Sequence, residues 1–194
     1  MTTVSVMFED KLLITSDNAL IKKAMKEHVF FLHAHTRIKN PLAVLFLEGE
    51  INNYEQLAFI LKNESTNLLI FTTDKNIRFI SAMKILNNVR LEKIGLPLNN
   101  IISEITAFIS ISNKVKGMYT PNREKNILTI SEQRVLFLYI QGVSVDNISK
   151  RLNKKRKTIY TQKDNSMKKL GLCTKADLIQ KKSILLKIHQ DGLL

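Results

Sequence analysis

The sequence predicts an α/β domain followed by an all-helical domain. Three observations predict this. Short apolar runs rich in Val, Leu, Ile and Phe alternate with helix-spaced segments over residues 1–111. Helix-start signals at Thr129, Ser144 and Thr174 then follow one another with no strand-like run between them. The formal net charge of +13 is unevenly placed: residues 1–120 hold 14 Lys plus Arg against 11 Asp plus Glu, and residues 121–194 hold 16 against 6. A nearly neutral part is thus joined to a strongly basic one. The basic part points to a polyanionic partner, most often nucleic acid.

Taken in order, Val4–Phe8, Val29–Leu32, Leu42–Leu47 and Leu68–Thr72 suit strands buried on both faces of a parallel sheet, with a further strand around Val89–Ile94 before Pro97. Ser16 is placed to cap a helix through Asp17–Lys26. Tyr54, Leu57, Ala58 and Leu61 line one face of a second helix. Ile77, Ile80, Ala82, Ile85 and Leu86 line a third, and Ile101, Ile102, Ile105, Phe108 and Ile109 a fourth. Strands alternating with helices imply a doubly wound open sheet. A polar stretch carrying Lys114, Lys116, Gly117 and Pro121 breaks the pattern. The expected domains are therefore 1–111, a linker at 112–126, and 127–194.

In the C-terminal part, Thr129 and Glu132 have the spacing of a capping box. Val135, Leu136, Leu138 and Tyr139 follow at helical spacing, and Gly142 suits a left-handed stop. Ser144 opens a short helix holding Ile148 and Leu152. Lys154, Lys155, Arg156 and Lys157 precede a third helix, Thr158–Leu170, with Ile159, Met167 and Leu170 inward and Gly171 after it. Thr174 and Asp177 open a fourth, carrying Leu178, Ile179, Leu185 and Leu186. Leu185, Leu186 and Ile188 suit either the core or an apolar stripe for a partner. A short helix, a turn and a polar helix with a cationic start form a helix-turn-helix. On its outer face fall Tyr160, Thr161, Lys163, Asp164 and Lys168. Like charges at Lys154–Lys157 are unfavourable at a helix N-terminus, and a phosphate oxygen there relieves the conflict.

Leu128-Thr129, Glu132, Val135-Leu136, Gly142, Ser144, Ile148, Leu152, Thr158-Ile159 and Lys169-Leu170-Gly171 resemble the LuxR/NarL-type DNA-binding domain, in family spacing without a gap. The stretch Lys157–Lys163, with Gln162 where many members carry His, and Met167–Gly171 look closer to the Rcs-type capsule regulators. The resemblance implies a bacterial transcription regulator with double-stranded DNA as partner, the Thr158, Thr161, Gln162 and Lys163 region in the major groove, and the fourth helix helping a dimer to form. The dimer is expected either with a second copy or with another LuxR-type regulator, and RNA polymerase is a further expected partner. The chain departs from the family at Lys155, where Ser is common, and at Asp164, a carboxylate on the expected groove face.

In this family a receiver domain commonly precedes the helix-turn-helix. A working receiver holds Mg²⁺ and a phosphorylated Asp among acidic, hydroxyl and Lys side chains at its strand ends. Glu9 and Asp10 stand where an acidic pair is needed, Thr72 or Thr73 follows a strand, and Lys93 precedes Gly95 and Pro97. The acceptor position holds Leu47 or Glu48 rather than Asp. The domain is then a receiver-like module kept for folding and pairing, or one in which Glu48 imitates a phosphorylated Asp, or one with a small-molecule pocket.

Other chemistries find no support. His33 and His35 share a strand face but lack further ligands, so no metal is expected. No Gly-rich phosphate loop is present, so no nucleotide cofactor is expected, and no Ser or Cys has a base at motif spacing, so no enzyme is expected. Cys173 is read as a packing residue. A single Cys, no export-like N-terminus and no apolar run of spanning length point to a reducing cytoplasm without membrane contact.

Overall fold

The structure, a computed structural model, describes residues 5–8, 12–16, 18–21, 23–25, 38–62, 67–83, 89–114 and 127–192. Contacts divide the chain into two compact units, one of residues 1–50, 62–77 and 86–121 and the other of 51–61, 78–85 and 122–194.

The first unit is built on a five-stranded sheet. Strands β1 (Ser5–Phe8), β2 (Leu12–Ser16), β3 (Leu42–Leu47), β4 (Asn67–Thr72) and β5 (Val89–Lys93) lie in chain order. The α/β class agrees with expectation, and β2 through β5 are parallel. The edge differs. β1 turns back as a hairpin and pairs antiparallel with β2, Phe8 opposite Leu12. The run Leu12–Ser16 is therefore the first parallel strand, which the sequence reading overlooked in favour of a helix cap at Ser16. Ser16 is the buried end of that strand. Asn18 does the capping instead: its Oδ1 accepts from the amides of Leu20 at 2.9 Å and Ile21 at 3.4 Å. Residues 19–21 and 23–25 are helical. The strand expected at Val29–Leu32 lies outside the described residues, as do His33 and His35.

The parallel strands are buried on both faces. Leu12, Ile14, Leu42, Val44, Phe46, Leu69 and Phe71 alternate onto one face and form a core with Met25, Ile101, Ile105, Phe108 and Ile109. Ala43, Leu45, Leu68 and Ile70 are buried on the other. This period of two is what made the runs readable as strands. In chain order helix α1 (Tyr54–Lys62) follows β3, helix α2 (Asp74–Ser81) follows β4 and α3 (Leu98–Lys114) follows β5; residues 54–61 and 78–81 of the first two belong to the second unit. α3 extends into the stretch expected to be linker, and residues 115–126 lie outside the described ones.

The second unit contains four helices from the C-terminal part: α4 (Ile130–Ile140), α5 (Val145–Leu152), α6 (Arg156–Lys169) and α7 (Lys175–Gln190). The three predicted caps are present, whereas the third helix begins at Arg156 rather than at Thr158. Thr129 and Thr174 form reciprocal capping boxes with Glu132 and Asp177, and Ser144 accepts from the Asn147 amide. Gly142 and Gly171 both have positive φ, as the stops require. Val135, Ile148 and Ile159, all fully buried, form the centre at which α4, α5 and α6 meet. Leu185 and Ile188 are buried, so these two belong to the core, whereas Ile179 is exposed. Cys173 is exposed, which corrects the packing role expected of it. Among the described residues no helix is long and apolar enough to cross a membrane.

Glu132 is a buried carboxylate at the start of α4. It accepts from the Thr129 amide at 2.8 Å and from Lys169 Nζ at 2.8 Å. Burial pushes its carboxyl up, but the Lys169 ammonium and the two Thr129 contacts outweigh this and hold it below the ordinary 4.5. A carboxyl lowered on folding stabilises above the unfolded value, and that stabilisation fades as pH falls through the folded one. Glu132→Gln is expected to cost about 1–3 kcal/mol at pH 7. The difference from the parent should shrink below pH 4 in urea titrations followed by circular dichroism.

Candidate nucleic-acid interface

The interface candidate is assembled from the turn between α5 and α6 and the outer face of α6. Asn153 ends α5 in the left-handed conformation (φ 49°, ψ 48°), a geometry that asparagine tolerates better than most side chains. The Lys154 amide then donates to Ser149 O at 3.0 Å, and its carbonyl accepts from the Ser149 hydroxyl. These bonds fix the turn. Lys155 occupies the cap position of α6 with no side-chain acceptor for the helix amides, and the first turn of α6 holds no acidic residue. Inward, Ile159, Ser166 and Leu170 are fully buried. Ser166 was not foreseen as an inward residue. Its hydroxyl is satisfied by donating to Lys163 O at 2.7 Å, which lets a small polar side chain face the core.

The outer face divides into two groups. Lys155, Arg156, Lys157, Thr158, Tyr160, Thr161, Asp164 and Lys168 are exposed. Lys154, Gln162 and Lys163 are half-buried. Lys154 Nζ donates to Ser131 Oγ at 3.1 Å and to Gln162 Oε1 at 3.4 Å, so it ties α6 to the start of α4. Lys163 was expected on the open face. Its side chain is only 17% exposed and pairs with Asp164 at 3.0 Å. Its ammonium also lies 5.4 Å from the Tyr139 ring centroid and 5.5 Å from that of Tyr160, within cation–π range. Arg156 pairs with Asp146 across the turn at 2.6 Å. Both partners are largely solvated, so this pair adds little stability. Sequence reasoning missed Ser131, Tyr139 and Asp146 as partners of the cationic run. No spacing rule joins residues on different helices.

The receiver-type residues also meet the structure. Leu47, Thr72 and Lys93 pair in one register row at the carboxyl edge of the sheet, so Thr72 and Lys93 do share the edge the sequence placed them on. They are otherwise engaged. Thr72 is fully buried, donates to Leu47 O at 2.8 Å and accepts from Asn76 Nδ2 at 2.8 Å. Lys93 Nζ pairs with Asp74 at 2.9 Å. Glu48 accepts from Asn18 Nδ2 at 2.8 Å. Among the described residues no hydrogen bond joins Glu48 to Thr72 or Lys93. Glu9 and Asp10 lie outside the described residues. They precede β2 in the chain, whereas the carboxyl edge begins where β2 ends.

Residues 126–181 match the family described as bacterial regulatory proteins, luxR family. The luxR-family match spans all of α4, α5 and α6 and the start of α7. No curated protein matches the chain. Similar solved structures include one of two RcsB dimers bound to two parallel DNAs. It has 20% identity, covers 89% of this chain and 97% of the other, and has a TM-score of 0.45. RcsB from Salmonella enterica serovar Typhimurium, bound to promoter P1flhDC with the phosphomimetic BeF3-, has 18% identity, coverage of 90% and 97%, and a TM-score of 0.47. The same protein bound to promoter rprA has 21% identity, coverage of 85% and 92%, and a TM-score of 0.47.

The division of the α6 face into tethered and open cations has a direct test. Lys154→Ala is expected to lower stability by about 1 kcal/mol through its lost hydrogen bonds. Lys155→Ala should stay within about 0.5 kcal/mol of the parent. Chemical denaturation of the two variants distinguishes them.

Proposed function

We propose that the protein is a bacterial transcription regulator, not an enzyme, which binds double-stranded DNA with α6 in the major groove and does so without phosphorylation. The observation that carries this reading is the open cationic and polar face of α6, set against a back face that is fully buried. A helix of about 10–12 Å diameter fits a groove about 12 Å wide. Lys155, Arg156, Lys157 and Lys168 neutralise phosphates. Thr158, Tyr160, Thr161 and Asp164 face base edges, where a carboxylate accepts from cytosine. Lys163 and Gln162 lie at the margin of that surface and Lys154 behind it. In this reading the receiver-like and DNA-binding parts form two domains joined through residues 112–126. The second domain acts as a pair with another copy.

Independence from phosphorylation is supported by three placements. The acceptor position carries Leu47 or Glu48 rather than Asp, Thr72 donates its hydroxyl to Leu47 O, and Lys93 is held by Asp74. One observation favours a second reading, an auxiliary regulator that binds DNA weakly until it pairs with another LuxR-type protein. Two of the lysines near the groove face, Lys154 and Lys163, are turned to intramolecular partners, and Asp164 is exposed on it.

Affinity for promoter DNA should fall steeply with salt, as released counterions require. The double variant Lys155→Ala, Lys157→Ala should weaken binding to all sequences alike and flatten the log–log salt slope by about two. Thr161→Ala should instead change the preferred sequence. Gel shifts over a salt series, with a selected oligonucleotide pool, read both. Absence of binding at low salt, alone and with a partner regulator, would refute the proposal. Incubation with acetyl phosphate and Mg²⁺ should leave both the phosphoprotein mobility and the DNA affinity unchanged.

A further inference from the structure

A pocket of about 500 Å³ opens at the carboxyl edge of the sheet in the first unit. Its base is the stacked pair Phe46 and Phe71, with ring centroids 4.9 Å apart and planes 9° from parallel. Met25, Leu20 and Leu98 form its walls, and Glu48 stands on its rim as the one charged residue among the described lining residues. Three features separate this hollow from an ordinary packing gap. Its volume falls in the range of small-molecule sites, about 300–1,000 Å³. Its place, beyond the carboxyl ends of parallel strands, is where open α/β sheets bind ligands. Its apolar walls reach the solvent: Leu20 is 77% exposed and Leu98 36%. Apolar walls beneath a single carboxylate are complementary to an apolar chain or ring system ending in a cation or hydrogen-bond donor. The Asn18 amide already holds the Glu48 carboxylate at 2.8 Å, which fixes one oxygen and orients the group.

We propose that this pocket binds a small amphiphile with an apolar body and a cationic amine head, the body on the Phe46–Phe71 stack and the head on Glu48. The inference is independent of DNA binding by α6. It gives ligand binding to the edge at which a working receiver carries phosphoryl chemistry.

The test uses the full-length protein and the neutral fluorescent probe N-phenyl-1-naphthylamine. Saturable fluorescence enhancement is expected, displaced by decylamine at concentrations about tenfold lower than by decanol or decanoate. Glu48→Gln, an exposed position, should abolish the advantage of decylamine and leave decanol displacement unchanged. Ala24→Phe, which fills the lining, should abolish probe enhancement; its circular dichroism melt checks that it folds. Three results would overturn the proposal: no saturable enhancement, displacement by decanoate as effective as by decylamine, or enhancement untouched in a folded Ala24→Phe variant. Probe binding that falls as sedimentation velocity shows dimer forming would also overturn it, since a second copy would then be the occupant.

Discussion

The arrangement of the helical part depends on one buried carboxylate. Glu132 closes the capping box of α4 through the Thr129 amide and accepts from Lys169, the last residue of α6. Lys169 Nζ in turn donates to Ile127 O at 3.0 Å, where the chain approaches α4. One ion pair thus holds the start of α4, the end of α6 and the incoming backbone. Val135, Ile148 and Ile159 lie at the heart of the apolar centre beneath it. Apolar packing is non-directional and sets distances between helices better than their rotation. A buried pair that must align two groups to within hydrogen-bond reach supplies the missing constraint. The direction of the outer face of α6 follows from it.

Legibility followed the range of the interactions. Thr129, Ser144 and Thr174 were readable because a cap is decided within three residues. The parallel strands were readable because burial on both faces leaves continuous apolar runs. Leu12–Ser16 was not, because Ser16 followed by Asp17 imitates a helix start. Burial of the strand end prevailed, and the cap moved to Asn18. At the edge of the sheet, Thr72 and Lys93 were placed by counting from strand ends. Their actual partners, Asn76 and Asp74, sit on α2 and depend on how that helix begins. On α6 the residues were found but not their directions. Whether Lys163 meets solvent or the Tyr139 ring is settled by a neighbouring helix, which no local pattern encodes.

The same separation explains how the carboxyl edge differs from a phosphoryl-transfer site. Such a site needs several carboxylates and a lysine converging on one point. Among the described residues the carboxylates here are met nearby: Glu50 by Lys75, Asp74 by Lys93 and Glu48 by Asn18. The charges are paired locally, and Phe46 and Phe71 with their apolar neighbours line the pocket at this edge. An α/β scaffold can present either ionic or apolar chemistry at such an edge.

Strand β5 closes the described sheet, and such an edge offers unpaired backbone groups to any passing strand. Its sequence is Val-Arg-Leu-Glu-Lys, and Arg90 binds both Glu92 and Glu104. A second molecule adding a strand here would have to bring its backbone against this cluster of charges and strip water from it. The edge is thereby guarded against sheet-to-sheet growth. At this edge, copies of the chain that meet at high concentration are kept from sharing a sheet.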